Sequence, residues 1–368
     1  MTNRSVLQVL GASAGGMARH VAQIVDALDG HDGLRIDIAG PGGWPIPMPK
    51  PVFPVSVPNG ARGHAPAVRA LRRIALGGRY SLVHAHGLRA GVDCGLALRT
   101  TSVPVVASVH NLLRADVAGR ARYTLLRWAE PLLLALATRV LAASEEIADS
   151  LTRSAPRWAH KVEVLHLGVG EPPDVRRAPA DVRRDLGLGP DDALVVTVAR
   201  LAPQKALHVL LRALARLPDD VFLAVLGEGP LETDLRARAA RLGISGRVRW
   251  LGFRHDVPDL VAAADVFCLS SNWEACSLAA QEAMQLGTVV VSTDVGGMSE
   301  LITSGHSGLL VAKGDDEALA GALERALLDA EMRITMAGAA RARLAEAFST
   351  RRMLDRLDDI YRSGSRAS

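Results

Sequence analysis

The sequence predicts two α/β domains, each a parallel, doubly wound sheet of the Rossmann kind, facing each other across a central cleft. Short apolar runs alternate with segments of helical period along almost the whole chain, as β/α alternation in a parallel sheet requires. With 368 residues the chain is long enough for two domains of ordinary size. The alternation is interrupted once, at 169–190, where Pro172, Pro173, Pro179 and Pro190 stand among charged residues, and then restarts.

Val6–Leu10 is a short apolar strand, and Gly11–Gly16 is a glycine-rich turn. Met17, Val21, Ile24, Val25 and Leu28 then recur at helical spacing. Strands follow at Leu34–Ala39 and Val52–Val57, separated by the proline- and glycine-rich loop 41–51. Next come a helix near 65–76, a strand at 81–85, a helix at 88–99 and a strand at 103–109. A long arginine-bearing helix is expected over 115–137, then a strand at 139–143, a helix at 145–153 and a strand at 161–166. These make a first domain of residues 1–168. Residues 169–190 read as a linker with one short helix, and 191–348 as the second domain. Its strands fall near 194–198, 221–226, 247–251, 264–269, 288–292 and 308–311. The chain ends in helices near 315–346 and 350–363, the last expected to return to the first domain. In open sheets of this type ligands bind beyond the carboxyl ends of the strands, so two facing lobes place both sets of ends on one cleft.

Composition narrows the function. A formal net charge of +4 is a mild excess, and 4% aromatic residues leave no stacking platform for single-stranded nucleic acid. Cys94, Cys268 and Cys276 have no metal-ligand spacing, which points to a reducing compartment without structural zinc. The N-terminus carries no signal-peptide pattern, and the longest apolar run, Pro131–Thr138, is too short to span a bilayer. A cytoplasmic protein is expected. From Arg62 to Arg127 eleven arginines face only Asp93 and Asp116, so the first domain presents either a solvated basic face or one that meets an anionic membrane surface.

Charged groups recur where strands end. Arg200 closes a strand and Lys205 opens the next helix; two such cations can clamp a diphosphate, or stand as solvated loop charges. Lysine occurs only at 50, 161, 205 and 313, so Lys205 is not drawn from an abundant pool. Leu226-Gly227-Glu228-Gly229-Pro230 is a strand-end turn, either a plain tight turn or one whose glycines admit a ribose or base. Glu274 lies in a strand-to-helix loop and Glu282 in the helix that Ser277 can cap and Gly287 can end. The helix N-terminus suits an anion and the carboxylates suit hydroxyls, a pattern fit for a nucleotide-sugar; the alternative is a solvated surface helix.

The ordered set resembles a known family. Arg200 and Lys205 in R-L-x-P-x-K, the G-E-G-P-L turn, Gly252-Phe253, Glu274 and Glu282 spaced as E-x7-E, and Asp294-Val295-Gly296-Gly297 with Glu300 are similar to the retaining glycosyltransferases of family 4, which have the GT-B fold. Ser13-Ala14-Gly15-Gly16-Met17-Ala18-Arg19-His20-Val21, Leu82–Gly87 and Val105–Asn111 resemble that family's first-domain signatures, so the likeness covers essentially the whole chain. The resemblance implies transfer of a sugar from a nucleoside-diphosphate sugar to an acceptor hydroxyl on a saccharide, a lipid-linked saccharide or a small molecule, as in cell-envelope or polysaccharide synthesis. It implies that Arg200 and Lys205 hold the diphosphate and Glu282 the ribose. It implies further that Glu274 contacts the sugar and that Gly15, Gly16, Glu228, Phe253, Ser277 and Leu278 complete the donor site. His110 resembles the family's active-site histidine, which faces the transferred sugar. No tightly bound cofactor and no obligatory metal are expected. The sequence departs from the family's habit at Ala275-Cys276-Ser277, at Ala206 and at Leu167.

Four competitors are weighed. Gly11-Ala12-Ser13-Ala14-Gly15 fits the G-x-S-x-G elbow of a serine hydrolase using Ser13, but too little chain precedes it to build an oxyanion hole. A dinucleotide site is misspaced and lacks its acidic residue. His84, His86 and His110 can be drawn as a zinc site, or as core and cleft histidines. A nucleotide-sugar binding protein without transfer activity, or a GT-B-fold epimerase, would keep the phosphate clamp.

Overall fold

The computed structural model describes residues 4–11, 16–42, 47–58, 62–111 and 127–364. Ser13, Gly15 and most of the expected helix 115–137 lie outside them. The chain divides into two compact units, one of residues 1–168 with 350–368, the other of 169–349.

In the first unit the elements run β1 (Arg4–Leu10), α1 (Gly16–Leu28), β2 (Leu34–Gly40), β3 (Val52–Pro54), α2 (His64–Gly77), β4 (Leu82–His86) and α3 (Leu88–Leu98). They continue with β5 (Val105–Val109), α4 (Ala129–Leu136), β6 (Arg139–Ala142), α5 (Glu145–Ser154) and β7 (Val162–Val164). The sheet order is β3-β2-β1-β4-β5-β6-β7, and every pair is parallel. The order reverses between β1 and β4, which makes a crevice beyond their carboxyl ends. The central strands β1, β4 and β5 are buried almost throughout, as a sheet covered on both faces requires. One face packs Val21, Ile24 and Leu28 of α1 and the other Leu71 of α2 and Cys94 of α3.

The second unit starts with α6 (Pro179–Asp185), inside the stretch read as a linker. That stretch is tied to its own unit, because the N–H groups of Arg176 and Arg177 both donate to the buried Asp259 carboxylate. Next come β8 (Ala193–Val198), α7 (Leu207–Leu214), β9 (Val221–Leu226), α8 (Glu232–Arg241), β10 (Val248–Gly252), α9 (Val257–Ala262) and β11 (Val266–Leu269). Then follow α10 (Leu278–Leu286), β12 (Val289–Thr293), α11 (Met298–Leu301), β13 (Leu309–Val311), α12 (Asp316–Leu328) and α13 (Ala330–Ala347). This parallel sheet is ordered β10-β9-β8-β11-β12-β13, with its reversal between β8 and β11. The segment 315–346 is two helices, since Asp329 leaves helical conformation and its side chain caps the N–H of Met332.

The last helix, α14 (Thr350–Gly364), belongs to the first unit. Met353, Leu357, Ile360 and Tyr361 enter the core beneath α1, and Arg4 pairs with Asp358 at 3.2 Å.

Candidate functional site

In the second unit the predicted donor residues gather at the reversal between β8 and β11. The loop leaving β8 carries Arg200, passes through a 3-10 turn at Pro203–Lys205, and enters α7 through Ala206. The loop leaving β11 carries Glu274 and enters α10 through Ser277. The two loops are joined by several hydrogen bonds. The Asn272 N–H donates to the Gln204 carbonyl at 2.7 Å, and the Gln204 amide to the Trp273 carbonyl at 3.0 Å. The Ser270 hydroxyl donates to the carbonyls of Lys205 and Ala206.

These contacts deliver Lys205 to Glu274. The ammonium is 2.6 Å from Oε1, and the Ser271 hydroxyl donates to the same oxygen at 2.5 Å. Glu274 is only 5% exposed, so its charge is sustained by those two donors in place of water. Ser271 was not singled out from sequence, where a serine after a strand has no distinguishing pattern. Arg200 is exposed, and among the described residues no hydrogen bond or ion pair holds its side chain.

Ser277 caps α10 by accepting from the Ala280 N–H at 3.3 Å, and Gly287 ends it in the left-handed region at φ 85°. The N–H groups of Leu278 and Ala279 precede that capped turn and point from the helix end, where an anion is favoured. Glu282 is half-buried on the same helix. On the neighbouring strand ends, the Glu228 carboxylate accepts the Phe253 N–H at 3.4 Å, and Phe253 is 60% exposed beside it. The glycines flanking Glu228 answer to the protein's own backbone. A Cβ on Gly227 would lie 2.2 Å from the Ala199 carbonyl oxygen, and one on Gly229 2.4 Å from that of Leu201. They let the Arg200 loop lie against the β9 turn, where the Leu201 N–H donates to the Glu228 carbonyl at 3.0 Å.

In the first unit His110 follows β5 and is buried, and Gly16 opens α1. His110 does not stand alone. His20 of α1, His84 and His86 of β4, Gln8 of β1, Ser108 and Tyr361 surround it at the β1/β4 reversal, all buried. His86 Nδ1 and His110 Nε2 are 3.4 Å apart. Their rings are within 7° of parallel with centroids 5.7 Å apart, as far as two imidazoles meeting at that distance can be, so the nitrogens face each other head-on. His84 does not join a triad with them: its nitrogens are taken by Tyr361 at 2.7 Å and Ser108 at 2.8 Å. The histidines whose ligand atoms come within 4.8 Å of one another are His20, His86 and His110. A metal needs converging lone pairs, whereas the head-on pair His86–His110 suits a shared proton.

Burial holds all four histidines neutral. It lowers His110 to about 4 and, with the neighbouring His110, lowers His84 to about 3. His20 and His86 are driven well below the ordinary value, first by burial and then by the other histidines. Sequence reasoning missed Gln8, His20 and Tyr361 as partners of this cluster. Gln8 was detectable as the one polar residue in an apolar strand.

Comparisons with known proteins give the family. Residues 14–170 match the family model for Glycosyltransferase Family 4, and residues 180–343 that for Glycosyl transferases group 1. A D-inositol 3-phosphate glycosyltransferase of Saccharomonospora viridis is 32% identical over 79% of this chain and 72% of its own. The UDP-Gal:alpha-D-GlcNAc-diphosphoundecaprenol alpha-1,3-galactosyltransferase of Escherichia coli is 27% identical over 77% of this chain and 75% of its own. A lipopolysaccharide core biosynthesis glycosyltransferase of Rhizobium meliloti is 35% identical over 54% of this chain, which spans little more than half of that protein, 57%. Among solved structures, Anabaena Alr3699/HepE in complex with UDP and glucose superposes with a TM-score of 0.83 at 25% identity, over 97% of this chain and 99% of that one. With both sheets, both strand orders and both family models in register, the chain belongs to the glycosyltransferases of family 4, nucleotide-sugar-dependent enzymes with the GT-B fold.

Proposed function

We propose that this glycosyltransferase moves a sugar from a uridine-diphosphate sugar to a hydroxyl of a polyol or saccharide acceptor, with retention at the anomeric carbon. The observation that carries the reading is the cationic loop of Arg200 and Lys205 beside the N-terminus of α10. As the bond to the leaving diphosphate breaks, negative charge grows on its oxygens. In this reading Arg200, Lys205 and the N–H groups of Leu278 and Ala279 meet it. Lys205 has three protons and gives one to Glu274, which leaves two for phosphate oxygens. Glu282 accepts from the ribose hydroxyls, and Glu228 and Phe253 complete the second unit's part of the donor site. His110 serves the transferred sugar. Glu274 is engaged by Lys205 and Ser271, which favours a role in orienting the donor over one as covalent nucleophile, in keeping with retention by a short-lived oxocarbenium-like centre.

The uridine donor is supported by the UDP bound in the HepE complex and by the UDP-galactose that the Escherichia coli relative uses. The acceptor class is supported by the inositol phosphate and diphosphoundecaprenol-linked acceptors in the relatives' names. Incubation with UDP-sugars and each acceptor, with the product's anomeric configuration read by NMR, tests donor, acceptor and retention together. An inverted product refutes retention. Failure of every nucleoside diphosphate and nucleotide-sugar to raise the thermal midpoint refutes the donor site, since a ligand at 100 times its Kd adds about 2.7 kcal/mol. Activity that survives EDTA is expected, because arginine and lysine supply the cationic charge.

No described helix is long and apolar enough to cross a membrane. Peripheral contact with an anionic surface is part of the same proposal, supported by Trp128, 66% exposed and flanked by Arg127. Co-sedimentation with anionic vesicles at low salt tests it, and an unbound protein under those conditions refutes it.

A further inference from the structure

The buried histidines, Gln8 and Tyr361 form one chain of hydrogen bonds, and the orientation of the Gln8 amide sets the direction of every bond in it. A neutral imidazole has one N–H and one bare nitrogen, so each bond decides the next. The Gln8 amide nitrogen donates to the Tyr361 oxygen at 2.9 Å. That phenol then sends its own proton to His84 Nδ1 at 2.7 Å, so His84 carries its proton on Nε2 and donates to Ser108 at 2.8 Å. At the other end of the amide, Gln8 Oε1 can only accept. His86 therefore carries its proton on Nε2, 2.7 Å away, and its Nδ1 is a bare lone pair. That lone pair faces His110 Nε2 at 3.4 Å, so a proton on His110 Nε2 is what keeps two lone pairs from meeting. His110 Nδ1 is then bare. It is buried and has no hydrogen-bond partner among the described residues.

We propose that Gln8 and Tyr361 are positioning residues that hold His110 as the tautomer protonated on Nε2, so that its Nδ1 meets a ligand only as a hydrogen-bond acceptor. The proposal rests on the reading of His110 as a residue of the reacting centre. Its consequence is a selectivity rule: the group opposite Nδ1 must bring a proton, as a sugar hydroxyl does and a phosphate oxygen does not. The opposite direction is also self-consistent. If the Gln8 amide turned over, every donor in the chain would reverse and His110 would present an N–H. Tyr361 reaches this chain from α14, the last helix, so the end of the sequence sets the protonation of a residue near position 110. Neither residue need touch the substrate to matter, because orientation of a ring nitrogen by a remote partner is enough to set what it can do.

The test is long-range proton–nitrogen NMR on protein labelled with 15N-histidine, which distinguishes the two tautomers, combined with steady-state kinetics. His110 of the unaltered protein is expected to be protonated on Nε2. Tyr361→Phe keeps the ring and removes both the acceptor for Gln8 and the donor to His84. It is expected to give a mixture of His110 tautomers, with kcat falling in proportion to the lost form, about twofold for an even mixture, and donor KM little changed. Gln8→Met, with neither donor nor acceptor on a side chain of similar length, is expected to do the same. Thermal midpoints measured alongside separate these effects from loss of folding. A proton on His110 Nδ1 in the unaltered protein, or an unchanged tautomer in both variants, overturns the proposal. If the tautomer responds as expected while His110→Ala turns over normally, the network stands and it is the assignment of His110 to the reacting centre that fails.

Discussion

The Lys205 ammonium lies 2.6 Å from the Glu274 carboxylate, at the point where the loops after β8 and β11 meet. Lys205 is 20% exposed along its side chain and Glu274 6%, so the pair is largely out of water. Removing one partner from such a pair leaves a charge buried without compensation and costs about 3 kcal/mol. Lys205→Ala is therefore expected to lower folding stability by about that amount in addition to weakening donor binding. Lys205→Ala with Glu274→Gln should recover more than half of the lost stability, since the stranded charge is gone. Urea unfolding of the single and double variants measures the coupling. Strict additivity would mean that Ser271 and water suffice for Glu274.

Ala206 connects the Lys205 turn to α7 at φ 45°, in the left-handed region that an alanine pays to occupy. Glycine is common in the family at this place, and the sequence alone made the departure look harmless. Ala206→Gly relieves about 1 kcal/mol of backbone strain. It also removes a buried methyl worth about 0.8 kcal/mol and loosens the unfolded chain by about 0.5 kcal/mol. The expected result is a stability within about 0.5 kcal/mol of the starting protein. Ala206→Val adds a β-branched side chain where φ is positive and should cost at least about 2 kcal/mol, read by the same unfolding curves.

What sequence made legible follows from what is local. The strands declared themselves as apolar runs, and the caps of α10 were visible as Ser277 and Gly287, because each depends on neighbours a few residues away. The break at Asp329 was harder, since the apolar pattern runs through it and only a side-chain cap marks the stop. From sequence, Gly227 and Gly229 fit a plain tight turn or room for a ribose or base, and neither reading points to the backbone they lie against. The clash partners, Ala199 and Leu201, are more than 25 residues away in sequence. The sequence brings together only His84, His86 and His110, because His20 and Tyr361 join the cluster from α1 and α14, and no spacing connects them. Long-range polar partners leave no period to detect.

Glu282 and His110 should separate in kinetics. If Glu282 accepts from hydroxyls of the part that leaves, its contact is made equally in the ground and transition states. Glu282→Ala is then expected to raise donor KM about tenfold with kcat within about twofold, the mark of lost uniform binding. If His110 serves the sugar that moves, His110→Ala lowers kcat with donor KM nearly constant. Initial rates across a donor series decide both. A Glu282→Ala variant that loses kcat alone would move Glu282 to the reacting centre.

The buried histidines make stability depend on pH, and the sign can be worked out. His20, His84, His86 and His110 are neutral when folded because burial depresses each one, His110 to about 4 and His84 to about 3. In the unfolded chain they take up protons near pH 6.5. Below that the unfolded state binds more protons, so stability is full above about pH 6.5 and falls as pH drops toward the folded values. Each such histidine costs about 2 kcal/mol by pH 5, and four together approach the whole stability of a domain. Asp93 and Glu130, raised by burial, oppose this only at the acid end. The urea midpoint of the first unit should therefore fall steeply between pH 7 and pH 5. His20 offers the cleanest control, because its Nδ1 is buried without a partner. His20→Leu is expected to leave stability at pH 8 nearly unchanged, as the lost packing is offset by removal of an unsatisfied polar atom. The same variant should flatten the pH profile by about 1.4 kcal/mol per unit at its steepest. A midpoint that stays level from pH 8 to pH 5 would mean that the cluster accepts protons while folded.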